Sequence, residues 1–401
     1  MIHLLLALQV AAAPNDALRY DITLIPSDTS RHLLGEVETA WRLASAEPVG
    51  VELDSSMRVV RVLIDGRPNT RLSRTMYGRS EDDLVVPHQK TAGDSITTRV
   101  RYHGMAHGSA TVGANARGDR IFLATAEGDG ARFWLPVPRE HGFERVTASF
   151  RIQTLVAERS IAPGVLEKVD TLPYGHAVWR YRMDASAPLA SLAVASGPYR
   201  VRALTPGRCG DGCPAVEAWT YAGGDAGTMG DASAWKTVEW LAARAGPYPY
   251  PRLAFVEAPV SAPVAAPGLV LIPETTGADT TASALALATA RQWFGLAVSP
   301  ATAEDRWVID GIAHFLAALW RDPKMRDLDA ATGTSDDWRG ARALRALRGT
   351  VGDSAFFAGL RRFAGDRAHQ AASRADFTRA MSAAAGRDLA PEIERAFDRA
   401  R

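Results

Sequence analysis

The stretch LATARQWFGLAVSP, residues 287–300, places Leu287 and Arg291 one helical turn apart, with Ala288 beside them. Two side chains four residues apart on a helix can share a metal ion when both are imidazoles. Nineteen residues past Arg291 an acid, Asp310, stands in RWVIDGIAHFLAALW, and His314 follows one turn later on the same face. The spacing suits a metal site; the residue types do not. Leucine and alanine carry no ligand atom, and arginine is a permanent cation that repels one. His103 and His107 in YHGMAHGSA are also four apart, but the glycines around them predict a loop, which argues against a metal pair. Cys209 and Cys213 flank Gly-Asp-Gly in GRCGDGCPAV. In an exported protein they read as a disulfide closing a tight turn, a local clip because so short a loop removes little chain entropy. In a reducing compartment they read as two free thiols, and a metal site would need further soft ligands that are not nearby. No G-x-S-x-G elbow or phosphate-cradling glycine loop is present.

These residues must be positioned by a chain of 401 residues, long enough for two domains. Apolar residues make up 47% and charged residues 23%, an ordinary globular composition. The net charge of +1, with basic residues scattered, argues against nucleic acid or an anionic membrane as partner. Residues 1–13 run apolar from Ile2 to Ala13 and end in three alanines, like the core and cleavage site of a secretory signal, though the basic flank is nearly absent. The alternative for that run is a buried N-terminal strand. The signal reading implies export to a periplasmic or extracellular location, with no cysteine following to carry a lipid. No other run is long enough to span a bilayer as a helix.

Between about Leu18 and Ala218, short alternating runs such as YDITLIP, GEVETAWRL, ERVTASFRIQTL and HAVWRYRMD alternate with Gly, Pro, Asp and Ser turns, which predicts an all-β domain over 14–218. The character then changes. Trp235, Val238, Leu241 and Ala242 have helical spacing, two short strands follow in RLAFVEAP and GLVLIPE, and helices are expected near 280–294, 304–320, 339–350 and 353–364 with two shorter ones beyond. Val308, Ile312, Phe315 and Leu319 form one apolar stripe. The second domain, 219–401, is therefore mostly helical, and the fold class is α+β.

The order of these features resembles the zinc aminopeptidases of the alanyl-aminopeptidase and leukotriene-hydrolase type (gluzincins). FWLPVPREHGFERVTASFRI is similar to that family's FPxxDEPxxKAxF segment, GPYPYPRLAFVEAP to the entry into its sheet, and GLVLIPE to the strand after its Gly-Ala-Met-Glu-Asn signature. RALRALRGTVGDSAFFAGLRRF is similar to the helix pair after its active-site tyrosine. The resemblance implies a saddle-like β domain followed by a thermolysin-like domain. It also implies a zinc held by the two histidines of H-E-x-x-H and a later glutamate, with the motif's glutamate as general base. Anchored on Gln292-Trp293-Phe294-Gly295, the two histidines fall on Leu287 and Arg291, the base on Ala288 and the third ligand on Asp310. The amine-anchoring glutamate falls on Ala265 and the oxyanion tyrosine on Asp337.

Of the three ligand positions only Asp310 retains a ligand atom suited to a metal, and the base, amine anchor and tyrosine are replaced as well. The resemblance therefore implies a pseudoenzyme with no catalytic residue, metal or cofactor. Arg291 and Asp310 are expected to form an ion pair where zinc would sit, with His314 as a pocket residue or a structural one. A protein or peptide interaction module is the expected function. An active zinc peptidase with an atypical site and a structural subunit of an envelope complex are the alternatives. Pro263 and Pro267 remove backbone donors from the strand edge that captures peptide in the family, which favours a protein partner. The chain ends where the family's thermolysin-like domain ends, so the cleft is expected to be open.

Overall fold

The computed structural model describes residues 15–68, 82–139, 142–204, 214–222, 231–274, 278–326, 328 and 336–398. Residues 1–13 and the Cys209 and Cys213 pair lie outside them.

The alternating runs of the first half build an eight-stranded sheet. Its order is Val165–Leu172, His176–Pro188, Arg145–Leu155, Asp16–Pro26, His32–Arg42, Ser95–Met105, Met57–Ile64 and Arg67–Pro68. Strand Asp16–Pro26 buries Tyr20, Ile22 and Leu24 on one face, and His32–Arg42 buries Leu33, Val37 and Trp41. A period of two thus decides which side faces the core. Asp16–Pro26 runs antiparallel to His32–Arg42 and parallel to Arg145–Leu155. Smaller sheets of four and three strands complete this half.

A five-stranded sheet follows, ordered Tyr199–Leu204, Ala215–Tyr221, Arg252–Ala258, Leu269–Pro273 and Val264–Ala266, with its three inner strands parallel. Both faces are covered, which explains the near-continuous apolar runs in these strands. Ala254, Val256, Leu269 and Leu271 pack toward the β half, while Leu253, Phe255, Val270 and Ile272 join the core beneath the helices. Position 218 lies inside Ala215–Tyr221, so the strand read from sequence as the end of the first domain is a member of this shared sheet.

The helices with described bounds are α1 (Asp231–Ala245), α2 (Ala278–Ala290), α3 (Arg306–Arg321), α4 (Asp336–Val351), α5 (Asp353–Asp366), α6 (Arg374–Ala385) and α7 (Ala390–Asp398). In α3 the stripe Val308, Ile312, Phe315 and Leu319 is buried as its spacing requires. Burial of such side chains contributes roughly 1.5–3 kcal/mol each, far more than helix propensity can. Helices α3 and α4 touch backbone to backbone. A Cβ on Gly311 would lie 2.8 Å from the Gly340 Cα, and one on Gly340 would lie 2.1 Å from the Trp307 carbonyl oxygen.

Helix α2 ends at Ala290, four residues before the expected end at Phe294. The cause is local. The Trp293 indole N–H reaches the carbonyls of Gly246 and Pro247 at 3.0 Å, and Gly295 takes φ +128°. The backbone then closes a wide turn, with Leu296 N–H donating to Arg291 O at 3.0 Å and Val298 N–H to Trp293 O at 2.9 Å. Strand Val298–Pro300, paired parallel with Gln370–Ala372, follows directly.

Candidate ligand-binding cleft

Arg291 follows the last residue of α2, with its N–H still bonded to Leu287 O at 2.9 Å. Asp310 lies one turn inside α3, where the contact between Gly311 and Gly340 fixes the helix. Both line a cavity of about 210 Å³, together with Glu127, Val264, Ala265, Leu296, Ser299 and Arg306. A second space of about 490 Å³ shares Glu127, Val264 and Arg291 and extends along Leu287, Ala288 and Pro263. Arg291 stands at the junction of the two. The cleft runs between the β half, which supplies Glu127, and the first two helices of the helical half that flank it, α2 and α3.

Structure thus brings Arg291, Asp310 and Ala265 to one cavity, and Leu287 and Ala288 to its continuation. Arg291 and Asp310, expected to pair directly, line the same cavity, and Asp310 holds an interaction of its own. Both side chains are only half-buried. His314 turns away from the cleft. Its Nδ1 meets the Asp310 backbone carbonyl at 3.0 Å, and its ring leans on Trp338 with centroids 5.5 Å apart. The side chain of Asp337 lies outside the described residues. His103 sits in strand Ser95–Met105, and His107 Nε2 is 2.8 Å from Asp54 Oδ1.

Sequence reading missed Glu127 and Arg145, and used Gln292 only as part of the anchor motif. Glu127 comes from the turn AEGDG after strand Arg120–Thr125, and an acid placed at a strand end before a glycine turn was the available signal. Gln292 is fully buried and uses every polar site. Its Oε1 accepts from the Tyr248 hydroxyl at 3.0 Å and from Gly268 N–H at 2.9 Å, while Nε2 donates to Ala266 O at 3.1 Å and Leu269 O at 3.0 Å. It therefore ties the end of α2 to the edge of the shared sheet. Arg145 donates to Leu296 O at 3.1 Å and Ser299 Oγ at 2.6 Å, and also to the carbonyls of Ser186 and Ala297. Burial lowers its pKa to about 10, and it bridges the β half to the loop behind the cavity. Next to it, burial with added repulsion from Asp16 pushes the Glu144 carboxyl up to about 7.

No family model matches the sequence, and no curated protein matches it. The fold is shared with solved zinc metallopeptidases. An M1 zinc metallopeptidase from Deinococcus radiodurans superposes with a TM-score of 0.78 at 21% identity over 96% of this chain and 93% of that one. A two-domain M1 zinc metallopeptidase variant bound to L-arginine gives 0.80 at 22% identity, covering 96% and 94%. A Deinococcus radiodurans variant bound to a Tyr-Ser-Ala substrate gives 0.78 at 22% identity. The fold is that of an aminopeptidase-like metallopeptidase, with an N-terminal β region and a helical part.

That fold implies zinc, and the residues on the cleft wall do not fit it. Leu287 and Ala288 offer no donor, Arg291 is a cation, and the two acids on the walls, Asp310 and Glu127, have no imidazole or thiolate beside them. Among the described residues no three His, Cys, Asp or Glu side chains gather closely enough to hold a metal ion. No helix of the described residues is long and apolar enough to cross a membrane.

Proposed function

We propose that this chain is a non-catalytic, metallopeptidase-like protein, acting outside the cytoplasm, that holds a polar peptide or a segment of a partner protein in the cleft between its two halves. The observation that carries the reading is Arg291. It occupies the junction of the two spaces, between the acids Glu127 and Asp310, where water activation in this fold would need a ligated cation. Fixed charges of both signs on one wall suit the charged groups of a peptide, and none of them can activate water as a zinc ion does. Strand Val264–Ala266 runs along the cleft between Pro263 and Pro267. Proline offers no backbone donor, so capture relies on side-chain contacts rather than on strand addition.

Titration calorimetry with the tripeptide Tyr-Ser-Ala, followed by chromatography of the recovered peptide, tests this. Binding with the peptide recovered intact is expected, and Arg291→Ala should weaken it about tenfold, roughly 1.4 kcal/mol. Release of free tyrosine by the purified chain, or unchanged affinity in Arg291→Ala, would overturn the reading.

A further inference from the structure

The hairpin of Val165–Leu172 and His176–Pro188 ends the eight-stranded sheet, and Val165–Leu172 pairs on one side only among the described residues. Its apolar side chains are unusually bare. Val165 is 48% exposed, Leu166 41% and Val169 40%, while Tyr174 at the hairpin turn is 97% exposed and Val156 in the adjacent turn 58%. Five of the eight large apolar side chains exposed among the described residues therefore gather at this corner. An open edge strand with apolar residues is a template for pairing with another strand.

We propose that this edge joins a second copy of the same chain, strand to strand, as a two-fold antiparallel dimer centred on Val169. The charges select the partner and the register. Lys168 and Asp170 flank Val169 and lie 2.5 Å apart within one chain. A two-fold centred on Lys168 sets lysine against lysine, and one centred on Asp170 sets aspartate against aspartate. Centred on Val169, the pairing sets Val169 against its own copy and Lys168 against Asp170 of the other copy, twice over. Glu167 does not disturb this arrangement, because it sits at the bulge in the strand and is neutralised by Arg182 at 2.7 Å. Asp170 keeps Arg180 at 2.6 Å as a second partner. The same geometry carries the turn bearing Tyr174 of one copy toward Val165 of the other. Charged residues on an edge usually prevent pairing; here they forbid only the neighbouring registers.

Light scattering coupled to size exclusion, run over a concentration series on the full chain, tests the proposal. The mass should climb toward twice 43.0 kDa. Val169→Lys should hold it at the single-chain value. Lys168→Asp alone and Asp170→Lys alone should each do the same, because each sets like charges across the two-fold. The double exchange K168D/D170K, and an equimolar mixture of the two single variants, should both recover the doubled mass, which also shows that the single variants are folded. A wild-type chain that stays at single-chain mass throughout, single variants that remain dimeric, or single variants that neither the mixture nor the double exchange restores would each overturn it.

Discussion

Arg291 and Gln292 are neighbours in the chain and opposites in the structure. Gln292 is fully buried, with four hydrogen bonds tying α2 to the shared sheet. Arg291 points into the cleft, at the meeting of two open spaces. One residue maintains the metallopeptidase-like frame, and the other lines the cleft that the frame encloses. Frame and chemistry are separable within a single helical turn.

The contrast can be broken at its rigid end first. Gln292→Ala leaves the buried Tyr248 hydroxyl and the Gly268 N–H without this acceptor, and takes one donor from each of the Ala266 and Leu269 carbonyls. Unpaired buried groups cost about 1–3 kcal/mol each, partly relieved by relaxation, so a loss of about 3 kcal/mol in chemical denaturation is expected. Arg291→Ala, by comparison, should change stability by less than about 0.5 kcal/mol, in the range of surface substitutions. Equal losses in the two variants would erase the distinction.

A smaller effect sharpens the boundary between frame and cleft. Glu144 adjoins Phe143 on the cavity wall, and burial together with Asp16 lifts its carboxyl to about 7. The folded chain therefore holds a proton there that the unfolded chain has already released above the ordinary carboxylate range. Stability declines as pH rises from that range to about 7 and is level above it. Glu144→Gln removes the titration, so its melting temperature should exceed the wild-type value at pH 8, with the gap closing toward pH 5. A gap that does not vary with pH would place Glu144 in ordinary solvent.

Much of the frame was legible in residue periodicity. Alternation in YDITLIP and GEVETAWRL marks their buried faces, and the stripe from Val308 to Leu319 marks that of α3, because each element buries one side. Periodicity could not show that Ala215–Tyr221 belongs to the sheet of the following half, since its partner Arg252–Ala258 lies more than thirty residues later. Nor could it end α2 at Ala290. The wide turn there depends on Trp293 reaching Gly246 and Pro247 across the fold. At the cleft, the spacing of Leu287, Arg291 and Asp310 named residues that line one continuous space, but spacing carries no information on what each side chain meets there. Glu127 arrives from a distant turn, and no local pattern ties it to Arg291.

The central claim, that this metallopeptidase-like frame surrounds a cleft unable to hold zinc, is tested most directly by metal analysis of the purified chain. After incubation with zinc and dialysis, mass spectrometry of the protein should find zinc far below one ion per chain. One tightly held ion per chain, surviving dialysis, would contradict the account.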